Sequence, residues 1–134
     1  MGGYENRIVI PRPGAAAREV FEEVDAALGQ KLSALMFEGP QETLTLTENA
    51  QPAIMAVSMA VLRVLERETG FDVKKQAAYV AGHSLGEYSA LCAARALSLT
   101  DAARLLRLRG RAMQQAVPAG VGAMAALLGA ELAG

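Results

Sequence analysis

Gly82-His83-Ser84-Leu85-Gly86 constrains this chain more than any other segment. It follows the apolar run Ala78-Tyr79-Val80-Ala81 and opens the helix-forming stretch Glu87–Ala96. That order predicts a strand, a sharp turn and a helix with a serine at the apex, the nucleophile-elbow pattern. Flanking glycines suit a turn too tight for larger side chains. Such a turn pushes the hydroxyl outward, beside the free N–H groups of a helix start that can stabilise an oxyanion. An ordinary Gly-rich connection is the competing reading; the strand-to-helix setting favours a catalytic serine.

The rest of the chain reads as mostly helical, because Ala and Leu dominate it. Ile8–Ile10 predicts a short strand cut off by Pro11. Ala15–Leu28 predicts an amphipathic helix, with Val20, Phe21, Val24 and Leu28 inward, Glu19, Glu22, Glu23 and Asp25 outward, and Gly29 as its C-cap. A short helix over Leu32–Phe37 ends at Gly39-Pro40, and Leu44–Asn49 reads as a polar connection. A long helix runs from about Pro52, in its first turn, to Glu68, stopped by Thr69-Gly70. Its first two-thirds is apolar almost all round, which predicts burial on several sides. Ser98 or Thr100 caps a helix over Asp101–Gln115. Gly122–Leu128 is open to either a strand or a helix.

With 134 residues there is material for one domain with a real core. A formal net charge of -1 gives no electrostatic reason to bind nucleic acid or an acidic membrane surface. No run is long and apolar enough to span a bilayer, and the N-terminus has no basic–apolar signal pattern. The single cysteine, Cys92, excludes a disulfide framework and suits a reducing compartment, so a cytoplasmic protein is expected. Cys92 reads as a small core residue rather than a nucleophile, and the six methionines mainly as core filler. One histidine, one cysteine and scattered carboxylates give no metal-ligand spacing.

Arg104, Arg107 and Arg111 share one face of the Asp101–Gln115 helix, which reads as the solvated side. Arg109 instead projects among Ala102, Leu105, Leu106 and Met113. A guanidinium there needs a partner, because burying it unpaired costs several kcal/mol. Periodicity leaves two readings open: a structural ion pair, or an anion site that holds a carboxylate near the serine. A serine nucleophile also needs a base. His83 adjoins Ser84, but consecutive side chains diverge at a strand end. It is therefore a poor base and reads as a residue that packs and bonds beneath the elbow. Glu87, Asp101 and Glu131 follow the serine, and none fills the role convincingly.

Thr47-Glu48-Asn49-Ala50-Gln51-Pro52-Ala53, the segment Gly82–Leu91, Arg107-Leu108-Arg109-Gly110-Arg111-Ala112-Met113-Gln114 and Gly122-Ala123-Met124-Ala125-Ala126 occur in that order. Together, over about Ala15 to Leu132, the chain closely resembles the bacterial malonyl-CoA:acyl-carrier-protein transacylases, acyltransferases that load malonyl groups for fatty-acid synthesis. The resemblance implies a ping-pong transfer. Ser84 takes the malonyl group from malonyl-CoA as an ester, and the phosphopantetheine thiol of acyl carrier protein then receives it. Leu85 lends its backbone N–H to the oxyanion hole, Arg109 pairs with the malonyl carboxylate, and Gln51 lies near the active site. No metal or prosthetic group is implied, since the CoA thioester is substrate.

The implied fold is α/β: part of an α/β-hydrolase-like large subdomain over residues 15–121, helix-rich with a small parallel sheet. Residues 1–14 form an atypical N-terminal segment, and 122–134 begin a ferredoxin-like subdomain that is mostly missing. Two departures stand out. The family's early Pro-Gly-Gln-Gly-Ser-Gln motif supplies an oxyanion donor, whereas Arg12-Pro13-Gly14 follows Pro11 here; loss of one donor costs about 3 kcal/mol of transition-state stabilisation. The family's catalytic histidine lies after the ferredoxin-like insertion, beyond this chain. The expectation is a fragment with exposed core surface, marginal stability, a tendency to oligomerise and weak activity at best. Two other readings compete. One is a non-catalytic remnant that binds CoA or carrier protein, with Arg104, Arg107 and Arg111 as a docking patch. The other is a fragment of a patatin-like or α/β-hydrolase serine esterase, for which the expected Asp-Gly pair, downstream histidine and early Gly-rich loop are not found.

Overall fold

The computed structural model describes residues 14–118, 120–122 and 128–129. Three long helices make the body: α1 (Ala15–Leu28), α4 (Thr47–Thr69) and α7 (Leu99–Ala116), each packed on the other two. Between them run four shorter helices, α2 (Leu32–Glu38), α3 (Gln41–Leu44), α5 (Val73–Gln76) and α6 (Gly86–Ala93). Val20 and Val24 of α1, Met55 and Ala56 of α4, and Ala102, Ala103 and Leu106 of α7 are buried where the three meet. The alanines let helix backbones approach closely, and the two valines and Leu106 fill what remains. Phe21 packs edge-on against Phe37 at 5.7 Å between ring centroids, tying α2 to α1.

α1 has the range its periodicity predicts, and Gly29 closes it at φ +59°. Asp25, expected in solvent, is half-buried: its carboxylate accepts from the Ser33 N–H at 2.9 Å and the Ser33 hydroxyl at 2.5 Å, capping α2. Ser98 caps α7 by accepting from the Asp101 N–H at 3.0 Å, while the Thr100 hydroxyl donates to Glu23 instead. α6 stops at Ala93 because Arg95 turns to φ +60°; the Ala96 and Arg95 N–H groups bond back to Leu91 and Cys92 carbonyls. Cys92 itself is buried, and burial pushes its thiol pKa up, as suits a core residue.

Three expectations are corrected. The polar Thr47–Asn49 stretch is the first turn of α4, so Pro52 sits inside the helix and not in its first turn. The small parallel sheet is not seen: no strand forms among the described residues. A strand needs a neighbour to take up its N–H and C=O groups, and among the described residues no second extended segment pairs with Ala78–Ala81. Tyr79 there is 93% exposed. The expected strand at Ile8–Ile10, and all of Gly122–Leu128 but its two ends, lie outside the described residues.

α4 is buried on several sides, against α1, α6 and α7 among others, but not all round. Ala53, Met55, Ala56, Met59 and Ala60 face the core, whereas Ile54, Val57, Val61 and Leu65 form an open apolar stripe. Their spacing of three or four residues puts them on one side of the helix. Exposed apolar surface of this kind drives association. The chain is therefore expected to self-associate with rising concentration, and Val61→Lys to shift it toward monomer in sedimentation equilibrium. A single monomer mass at all concentrations would count against this.

Candidate active site

The serine stands at the apex of a real elbow. Ser84 has φ +54°, a left-handed backbone that costs a non-glycine residue about 1–2 kcal/mol. The turn is held by the Gly86 N–H donating to the His83 carbonyl at 2.9 Å and the Glu87 N–H donating to the Ser84 carbonyl at 3.3 Å. The two flanking glycines differ. A Cβ on Gly82 would fall 1.9 Å from the Gly86 carbonyl oxygen, so only glycine fits there, whereas a Cβ on Gly86 would meet nothing within 4 Å. Ser84 is exposed, and a strained backbone under an exposed hydroxyl marks it as a candidate functional residue. Leu85 follows as the N-cap of α6, and its N–H donates to no carbonyl among the described residues.

Arg109 reaches the elbow from α7. One of its guanidinium nitrogens donates to the Ser84 hydroxyl at 3.0 Å, and the other donates to Gln51 Oε1 at 2.5 Å. The partner that Arg109 required is thus a neutral amide and the serine, not a carboxylate. Gln51 is 4% exposed, and its amide nitrogen donates to Thr47 Oγ1 at 2.7 Å and to Met113 Sδ at 3.4 Å. Three of the residues expected at the site, Ser84, Arg109 and Gln51, therefore form one hydrogen-bonded chain spanning α4, α7 and the elbow.

His83 departs from expectation. It is exposed, and its imidazole bonds to no other described residue. Its support of the elbow comes through its backbone carbonyl, which accepts from the Gly86 N–H. Among the carboxylates, Asp101 is engaged with Ser98 at the start of α7, Glu87 is exposed on α6, and Glu131 lies outside the described residues. None of the described carboxylates bonds to Ser84, and no group of three or more His, Cys, Asp or Glu gathers among the described residues. Beside the elbow, a cleft of about 710 Å³ opens between α4, α6 and Ala77–His83, lined by Ile54, Met59, Leu62, Val80 and Leu85.

Arg107 is also corrected. Its side chain is only 11% exposed and lies against Glu48, 3.9 Å away, while Arg111 bonds the same carboxylate at 2.8 Å. Burial pushes the Arg107 pKa below its usual value and the Glu48 charge opposes this. The contact exists because Gly110, between these arginines, lets α7 press on the backbone of Thr47 and Glu48. Sequence reasoning missed Thr47, Glu48, Gly110 and Met113 as parts of this site. Thr47 and Gln51 are four apart, and starting α4 at Thr47 would have placed them on one helix face.

A strained, outward serine at a helix start is the geometry of a nucleophile elbow. The chain matches the acyl transferase domain over residues 13–132 and belongs to that family. It is 55% identical over 114 residues to the malonyl CoA-acyl carrier protein transacylase of Bacillus subtilis strain 168, covering 85% of this chain and 34% of the relative. The structure of the acyl-carrier-protein S-malonyltransferase from Bartonella henselae matches at 68% identity and a TM-score of 0.75, over 78% of this chain and 33% of that one. A malonyl-transacylase in complex with its type II PKS acyl-carrier protein matches at 43% identity and a TM-score of 0.70, over 77% and 32%. The chain thus spans about a third of the length of the relatives it matches.

Proposed function

We propose that this chain carries the nucleophile half of a malonyl-transfer site. Ser84 Oγ attacks the thioester carbonyl of malonyl-CoA, the C–S bond breaks, the hydroxyl proton ends on the departing CoA thiol, and a malonyl ester remains on Ser84. The thiol of a carrier protein's phosphopantetheine then attacks that ester and restores the serine. The Leu85 N–H faces the developing oxyanion. The malonyl carboxylate replaces the serine hydroxyl on Arg109, so that the guanidinium grips it while still held by Gln51. That fork between Gln51 and Ser84 is the observation that carries the reading, since a simple esterase has no use for a cation there. The names of the relatives support malonyl-CoA and acyl carrier protein as partners. CoA is substrate here, and no resident cofactor is proposed.

The same reading proposes that residues 15–121 belong to the large subdomain, with 1–14 and 122–134 outside it. It also proposes that Ala78–Ala81 joins a sheet only when other strands of the family's fold are present. A cytoplasmic setting is proposed from the single, free and buried Cys92; no helix among the described residues is long and apolar enough to cross a membrane.

The test is intact-protein mass spectrometry after mixing the chain with malonyl-CoA. A malonyl adduct is expected that disappears in Ser84→Ala and falls in Arg109→Ala. A folded chain that binds CoA or carrier protein yet forms no adduct would support the non-catalytic reading, which the lack of a described carboxylate or imidazole bonded to Ser84 favours.

A further inference from the structure

We propose that Thr47 is a positioning residue for carboxylate recognition, acting on Arg109 through the Gln51 amide; this rests on Arg109 being the carboxylate seat. A glutamine amide has an acceptor end and a donor end, whereas arginine offers donors only. The Arg109 guanidinium therefore forces Gln51 Oε1 toward itself, at 2.5 Å. The amide NH2 is then committed to the opposite side, and Gln51 is too buried for bulk water to satisfy it. Thr47 Oγ1 accepts there at 2.7 Å, backed only by the weak thioether acceptor of Met113 at 3.4 Å.

Thr47 is itself fixed. It opens α4, and its carbonyl lies where a Cβ on Gly110 would approach to 2.7 Å. The next residue, Glu48, faces Arg107 and bonds Arg111, the residues two before and two after Arg109. The first turn of α4 thus grips α7 on both sides of Arg109, while its one free hydroxyl sets the amide that aims the guanidinium at Ser84. Without that hydroxyl, Gln51 gains by turning its NH2 elsewhere, and Arg109 loses its fixed second contact.

The experiment uses the full chain and compares wild type with Thr47→Val, Thr47→Ala and Thr47→Ser. The Arg109 Nε–H resonance, assigned by its loss in Arg109→Lys, is titrated with malonate and with acetate. Adduct formation with malonyl-CoA and acetyl-CoA is measured in parallel. Thr47→Val and Thr47→Ala are expected to lower malonate-over-acetate preference about tenfold, the scale of one hydrogen bond's net worth. Thr47→Ser is expected to restore it. A purely structural role would move the melting temperature and leave the preference alone. Unchanged preference in folded Thr47→Val, or no response of wild-type Arg109 to malonate, would overturn the inference. Failure of both Val and Ala variants to fold would do so too, by placing the hydroxyl's role in the fold. A wild type that forms no acyl adduct while Arg109 still responds to malonate, with the response lost in Thr47→Val, would sink the transfer reaction and keep the inference.

Discussion

Gly110→Ala is expected to lower the melting temperature of this chain by several degrees, at roughly 2–8 °C per kcal/mol, the range that brackets a chain of 134 residues. The direction opposes helix propensity, which favours alanine over glycine inside a helix by about 1 kcal/mol. Propensity loses because α7 crosses α4 at Gly110. An added Cβ would lie 2.5 Å from Glu48 Cα, 2.7 Å from the Thr47 carbonyl oxygen and 2.8 Å from the Glu48 nitrogen. These are backbone atoms that cannot rotate away, so the helices must separate. Overpacking of this kind costs about 1–3 kcal/mol, and more when backbone has to shift. Separation also pulls Glu48 from Arg107 and Gln51 from Arg109. The variant is therefore expected to lose the malonyl adduct beyond what its unfolded fraction explains. Thermal unfolding followed by circular dichroism checks the first part. A melting temperature equal to or above wild type would show that α4 and α7 do not meet at this glycine.

The elbow and the long helices were legible in the sequence because their signals are local. Apolar spacing set α1, and Ser98 or Thr100 marked the start of α7 to within two residues; the helix begins at Leu99 with Ser98 as its cap. The glycine at 82 and the serine at 84 marked the turn. What was misread depends on partners far away in sequence. Pro52 is enriched in first turns, so it drew the start of α4 toward itself; the actual start at Thr47 is set by the packing of Thr47 and Glu48 on Gly110 of α7. Arg107 has the spacing of a solvated residue, yet packing beside Glu48 on another helix leaves its side chain only 11% exposed. Ala78–Ala81 has the composition of a strand, but pairing requires a neighbour that no local pattern can supply. Arg109 was legible as an anomaly, a cation on an apolar stripe. Its resolution, with Gln51 on one nitrogen and Ser84 on the other, needed α4, α7 and the elbow in register at once.

Arg109→Lys is expected to cut malonyl transfer to Ser84 by about 100-fold while leaving the slow acetyl reaction nearly unchanged, because a lysine is not equivalent to arginine at a bidentate site. The charge survives the substitution, so a purely long-range electrostatic role predicts little loss. The geometry predicts otherwise. Arg109 spans two partners with two nitrogens in a fixed plane, 2.5 Å from Gln51 Oε1 and 3.0 Å from Ser84 Oγ. A single ammonium on a shorter, flexible stem can sit on one of them. Gln51 is buried and needs a donor for its carbonyl oxygen, so it takes the ammonium and draws it back from the serine. A carboxylate arriving at Ser84 then meets open space where Nη2 had been, and loses a charge-assisted pair worth about 1.5–3 kcal/mol, or roughly 10–150-fold. Acetyl-CoA presents no carboxylate and has nothing to lose. The ratio of the two adduct rates isolates the fork from any change in folding, since both rates share one folded fraction. A lysine variant that keeps the wild-type ratio would show that positive charge alone, and not the two-point grip on Gln51 and substrate, selects the acyl group.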